Sequence, residues 1–160
     1  GQSISVTALQ LASRMAAIAN GGRLIPPTLV EKVTSSKGQT VYAAPPPNGI
    51  RIGSPESVAQ LKNMLRKVVT DGTGTKAAIP GVSVCGKTGT AQKAGPYGGY
   101  MEDKYISSFA GFFPKKEPQY LILIILDEVG TTPVWGGATA GQIFHEVATR
   151  LITLNKNQAK

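Results

Sequence analysis

The sequence predicts an α/β domain of the α+β kind: an antiparallel sheet of about three strands with a peripheral hairpin, covered by helices. Three observations predict it. Residues 81–92, 106–113 and 120–127 are rich in β-branched or aromatic side chains and bounded by Gly or Pro, as strands are. Residues 8–19, 55–70 and 140–152 carry apolar side chains at helical spacing. The later strands are joined by short connections, which favours an antiparallel meander with the first of them at its end.

The elements follow in order. Thr7 and Gln10 form a capping box ahead of a helix that is apolar at 8, 11, 12, 15 and 19 and stops at Asn20-Gly21-Gly22. With so few polar positions, this helix is expected to be buried over most of its surface. From Arg23 to Ala44 the chain alternates loosely around Ser35-Ser36-Lys37-Gly38, the pattern of the peripheral hairpin, and Pro45-Pro46-Pro47-Asn48-Gly49 follows as a rigid connection. Ser54-Pro55-Glu56 starts a second helix with a cap, a proline at the first position and an acid in the first turn. Val58, Leu61, Leu65, Val68 and Val69 give it one apolar face, and Asp71-Gly72-Thr73-Gly74 ends it.

After the strand at 81–92 comes a glycine-rich loop in which Tyr97 and Tyr100 either border a groove or simply face solvent. Two strands then turn about Pro114-Lys115-Lys116-Glu117-Pro118, and Ala140, Ile143, Phe144, Val147, Ala148, Leu151 and Ile152 form the apolar face of a closing helix. His145 lies off that stripe and reads as a solvated helix histidine.

With 160 residues and 41% hydrophobic content, the chain can fill one compact domain with a core. Its formal charge of +8 raises anionic partners: nucleic acid, an acidic membrane surface or carboxylate-bearing substrates. The basic residues are scattered, with Lys115-Lys116 a close pair, and no base-stacking aromatic series accompanies them, so a nucleic-acid partner is not expected. The single cysteine, Cys85, rules out an intrachain disulfide and reads as a small packed residue. No His or carboxylate cluster has ligand spacing, so no metal or other cofactor is expected. The longest apolar run, Tyr120 to Leu126, has a strand's length and not a bilayer's.

The chemistry concentrates in Lys87-Thr88-Gly89-Thr90. A cation, two hydroxyls and a bare glycine on consecutive residues are an unusual set for a strand, where glycine is usually kept for the close approach of a ligand or backbone. Period two sets Thr88 and Thr90 on one side and Lys87 and Gly89 on the other. A peptide adding to this edge would meet ammonium, hydroxyls and bare backbone together, an arrangement suited to gripping a carboxylate.

This run resembles the Lys-Thr-Gly signature of the penicillin-binding proteins and serine β-lactamases. Residues 1–12 resemble the segment after the second signature of penicillin-binding transpeptidases, although Ser3 stands where the family usually has glycine and Ala8 where it usually has proline. Ala19-Asn20-Gly21-Gly22 is similar to their helix end. Val84 to Gln92, Ser108 to Pro114 and the Gly136-Gly137 loop with its helix are similar to class B, monofunctional enzymes. The resemblance implies that residues 1–160 are the C-terminal portion of a peptidoglycan D,D-transpeptidase domain of the serine β-lactamase/transpeptidase-like fold.

The 160 residues hold no Ser-x-x-Lys and no Ser-x-Asn, so the nucleophile is expected upstream and the chain alone is expected to be inactive. The resemblance further implies that Lys87 and Thr90 serve catalysis, Lys87 through proton transfer and Thr90 through half of the oxyanion hole. Thr88, Gly89, Thr90 and Gln92 would bind substrate. A donor of that kind is worth roughly 3 to 4 kcal/mol in the transition state. The implied partners are peptidoglycan stem peptides, β-lactam antibiotics and other cell-wall synthesis proteins. The implied location is the bacterial cell envelope, with the parent anchored in the cytoplasmic membrane and its catalytic domain on the periplasmic or extracellular side.

Two other readings stand beside this one. The first is a non-catalytic peptide- or polyanion-binding module. The second is the corresponding part of a class A enzyme or β-lactam sensor. Apolar surface left without an upstream half would favour self-association or strand exchange.

Overall fold

The computed structural model describes residues 5–129 and 136–158. Three helices, α1 (Ala8–Ala19), α2 (Pro55–Thr70) and α3 (Ala140–Gln158), pack about a three-stranded antiparallel sheet whose strands lie side by side in chain order. Its strands are β5 (Cys85–Ala94), β6 (Tyr100–Phe113) and β7 (Tyr120–Asp127). The expected meander is present, with β5 at one edge. Two small antiparallel pairs lie apart from it: β2 (Lys32–Thr34) with β3 (Thr40–Ala43), and β1 (Arg23–Leu24) with β4 (Ile50–Arg51). The first pair is the expected hairpin. The second is an addition, because Arg23 and Leu24 pair with Arg51 and Ile50 across the proline-rich connection and not within the hairpin.

Alternation along the strands gives the sheet two apolar faces. Phe109 and Phe113 of β6, with Ile122 and Ile124 of β7, pack under Phe144 and Ala148 of α3. The Phe109 and Phe144 ring centroids are 4.8 Å apart and tilted, and Phe113 meets Phe144 edge-on at 6.1 Å. On the opposite face Cys85, Ala110, Phe112, Leu121 and Leu123 pack against Met15 and Ala19 of α1 and Leu65 of α2.

The helix starts are as expected. Thr7 and Gln10 exchange both bonds of the capping box, and the Ser54 hydroxyl accepts the Ser57 amide with Pro55 at the first position.

Several expectations are corrected. The strand begins at Cys85 and not at Gly81: Gly81 takes φ +74°, and an Ile79–Val82 bridge closes a tight turn there. β5 and β6 run beyond residues 92 and 106, into the glycine-rich stretch, with a register shift between Gln92 and Ala94. Of the two readings of the loop tyrosines, Tyr97 at the hairpin tip takes the solvent-facing one and is fully exposed. In α1 only Met15, Ala17 and Ala19 are buried, and Leu9 stays 56% exposed, because the sheet reaches only the helix's C-terminal half. His145 is half-buried: its Nδ1 lies 2.7 Å from the Ala78 carbonyl, tying α3 to the segment after the 3-10 turn at Thr75–Ala77.

Candidate active site

β5 has a strand partner on one side only, so one of its backbone edges is open among the described residues. Lys87 is exposed, and its Nζ donates to the Thr88 carbonyl at 2.9 Å. In an antiparallel ladder alternate residues turn their backbone groups to alternate sides. A Thr88 carbonyl reached by this ammonium belongs to the outward set. Two residues on, the N–H and C=O of Thr90 turn the same way.

The side chains divide as period two requires. Lys87 and Gly89 lie on the α1 face, in register with Ala110 and Ser108 of β6. Thr88 and Thr90 lie on the α3 face, where both hydroxyls already have partners. Thr88 Oγ1 is 2.7 Å from Thr73 Oγ1, in the turn after α2, and Thr90 Oγ1 accepts the Gly136 amide at 3.0 Å. Ser107, the β6 partner of Thr90, is fully buried and hydrogen-bonds the Thr139 hydroxyl just before α3. The run at 136–139 is thus fastened to both strands next to Thr90.

Two glycines make this approach possible. A Cβ on Gly136 would collide with the Gly89 carbonyl and stand 2.6 Å from the Ser108 carbonyl, and one on Gly137 would overlap the Thr73 carbonyl. At Gly89 a Cβ would collide with the Ser108 hydroxyl. A cleft of about 220 Å³ opens on that same face, between Gly89, Ala91, Ser108 and Ile125 of the sheet and Val6 and Leu11 at the start of α1. A more apolar pocket of about 350 Å³, between Gln10, Arg14, Leu24, Pro27 and Ile50, lies away from these groups.

Charge at the far end of the sheet forms a network. Lys93 Nζ bonds Asp127 at 2.9 Å and Glu128 at 2.7 Å, and Lys104 bonds Glu128 at 3.0 Å. Hydrogen bonds to Glu128 and then Asp127 hold the Lys93 ammonium above its ordinary range, and those from Lys93 and Lys104 hold Glu128 below its own. Burial pushes the Cys85 thiol up, against the pull of Lys115, Arg66 and Lys62, which leaves it a poor nucleophile. Among the described residues no three His, Cys, Asp or Glu side chains gather as metal ligands.

The structure brings Lys87, Thr88, Gly89 and Thr90 together at one open strand edge. Gln92 follows on the Thr90 face, half-buried and in register with Tyr105, just before the register shift. Thr73, Ser107 and Thr139 were not singled out by the sequence. A signal for Thr73 was present, since Gly72-Thr73-Gly74 spends a hydroxyl between two glycines where one glycine suffices to stop a helix.

An open β5 edge bearing Lys-Thr-Gly-Thr, flanked by a sheet-covering C-terminal helix, defines a class that the comparisons identify. The profile of the penicillin binding protein transpeptidase domain matches residues 1–149, and the chain belongs to that family. Within it the relatives are class B proteins. Penicillin-binding protein PbpB of Mycolicibacterium smegmatis is 38% identical over 161 residues, covering 95% of this chain and 25% of that protein. Stage V sporulation protein D of Bacillus subtilis is 35% identical over 144 residues, covering 89% of this chain and 22% of that protein. The chain therefore spans about a quarter of the length of the curated relatives it matches. Among solved structures, penicillin binding protein 3 of Mycobacterium tuberculosis complexed with aztreonam superposes with a TM-score of 0.86 at 35% identity, covering 98% of this chain and 37% of that one. The same protein complexed with ampicillin gives 0.85 at 34%, covering 98% and 36%.

Proposed function

We propose that this chain is the C-terminal portion of a peptidoglycan D,D-transpeptidase domain and supplies the substrate-gripping wall of its active site. A serine elsewhere in the parent attacks the carbonyl of the penultimate D-alanine of a stem peptide, and D-alanine leaves. An amine from a neighbouring stem peptide then resolves the acyl-enzyme. A β-lactam enters the same step and acylates the serine. The parent works in the bacterial cell envelope, anchored in the cytoplasmic membrane with this domain outside, beside other cell-wall synthesis proteins.

The residues divide the work by direction. The outward Thr90 N–H donates to the developing oxyanion. The Thr88 and Thr90 hydroxyls donate to the terminal carboxylate, and Gly89 leaves room for the ligand to lie close. Lys87 adds positive charge and a proton-transfer partner for the attacking group, with Gln92 extending the binding edge. The observation that carries this reading is the Lys87 ammonium on the Thr88 carbonyl of a strand edge with no strand partner among the described residues, with the Thr88 and Thr90 hydroxyls on the opposite face.

The test is acylation by a fluorescent penicillin. The parent protein should form a covalent adduct, Lys87→Ala should slow it by about two orders of magnitude or more, and residues 1–160 alone should form none. A stable adduct on the isolated chain, or an unimpaired Lys87→Ala parent, would refute it.

A further inference from the structure

The contact between Thr73 and Thr88 joins two hydroxyls from separate elements, one on the edge strand and one in the turn after α2. Neither the sheet ladder nor the helix stop needs it. Thr73 is exposed, yet its backbone is clamped. Its carbonyl packs so closely on Gly137 that a Cβ there would overlap it. The next residue, Gly74, is buried: its N–H donates to the Val68 carbonyl at 2.8 Å, and a Cβ would stand 3.1 Å from Phe109 and from Val68. Thr73 is therefore held in place from both sides and still faces solvent.

A threonine hydroxyl has one proton to give and two lone pairs to receive with. Thr90 Oγ1 receives the Gly136 amide, which leaves its own proton for another acceptor. Thr88 is paired with a second hydroxyl, so one proton of the pair is used between them and one is left over. An anion lying at Thr88 decides which. It takes the Thr88 proton, and Thr73 then donates into Thr88 Oγ1. Hydrogen bonds in such a chain polarise one another, so Thr88 donates more strongly than an isolated hydroxyl does.

We infer that Thr73 is a positioning residue of the carboxylate site: it donates its hydroxyl proton to Thr88 Oγ1 and thereby aims the Thr88 proton at the carboxylate of a stem peptide or β-lactam. The inference rests on the reading of Thr88 and Thr90 as carboxylate donors, and its test separates the two.

The experiment uses the parent protein with its serine and compares acylation rates for a penicillin and for the same penicillin with its carboxyl blocked as the methyl ester. Thr73→Val removes the hydroxyl at nearly constant shape, and it should slow the free acid by about tenfold, the worth of a hydrogen bond that serves a charged group. The ester rate should not change, and Thr73→Ser should recover most of the loss. Thr73→Ala is run alongside, so that a folding defect peculiar to valine leaves a second measurement. Equal slowing of acid and ester would make the role merely structural and overturn the inference. Thr90→Val serves as the reference: if it slows the acid selectively and the Thr73 variants do not, the inference fails and the underlying reading stands. If neither residue discriminates acid from ester, both fail.

Discussion

Gly136→Ala is the sharpest test of how this edge is held. The new methyl would collide with the Gly89 carbonyl and lie 2.6 Å from that of Ser108, and neither backbone oxygen can rotate away. Ordinary contact begins near 3.4 Å, so the run at 136–139 must retreat by close to 1 Å. The Gly136 amide, 3.0 Å from Thr90 Oγ1, then passes out of hydrogen-bonding range. Overpacking of this kind typically costs about 1–3 kcal/mol of stability. A catalytic group misplaced by about 1 Å can cost on the order of a hundredfold in rate. In the parent protein, stopped-flow acylation by a fluorescent penicillin should therefore slow by about two orders of magnitude, with a lowered melting temperature. Acylation at the unmodified rate by a protein of unchanged melting temperature would refute the claim that this close approach sets Thr90.

Three further outcomes follow from the packing and the charges. Lys93 is held above its ordinary 10.5, so its contribution to stability is full below that pH and lost as pH rises through the raised folded value. Glu128 is held below its ordinary 4.5, so its contribution is full above that pH and lost as pH falls through the lowered folded value. Lys93→Met should accordingly flatten both limbs of a urea-midpoint profile, and an unchanged profile would show the network to be inert. Cys85 is fully buried with its thiol pushed up, so a thiol reagent should label it only as fast as the protein unfolds, and labelling of the native protein within seconds would contradict that placement. His145→Ala should cost about 1–2 kcal/mol in chemical denaturation by leaving the Ala78 carbonyl without its partner, whereas no cost would restore the reading of a solvated histidine.

Elements and site differ in how far the sequence shows them, and the reasons are physical. Capping and periodicity are local, so Thr7 with Gln10, Ser54 with Pro55, and the apolar stripe of α3 announce their helices directly. Alternation along 87–90 likewise separates Lys87 and Gly89 from Thr88 and Thr90 without any tertiary knowledge. Contacts between distant segments leave little trace. Gly136 sits 46 positions from Thr90 and Thr73 lies 15 from Thr88, and nothing in either neighbourhood names its partner. The exposed first half of α1 escapes the sequence for a related reason: hydrophobicity tells that a face wants cover, and only the extent of the sheet tells how much it receives.

An edge strand is ordinarily a hazard, because unpaired backbone groups invite another chain to add. β5 manages that hazard with the same residue that chemistry would need. Lys87 folds its ammonium over the outward Thr88 carbonyl, which satisfies the acceptor and sets a charge on the edge. On the proposed function, a peptide adding to the edge would supply its own N–H to that carbonyl and release Nζ into the site, where a cation raises the affinity for an anion. The exchange swaps one hydrogen bond for another, so it costs little to open the edge for the right ligand. A second copy of β5 adding in parallel and in register would bring its own Lys87 beside the first, and like-charge repulsion in a partly desolvated contact disfavours that pairing. Lys87→Met should therefore weaken acylation in the parent while making the isolated chain more prone to associate, a pairing of effects that acylation of the parent and light scattering of the isolated chain can separate. Loss of acylation without added association would leave Lys87 its chemical role and remove its protective one.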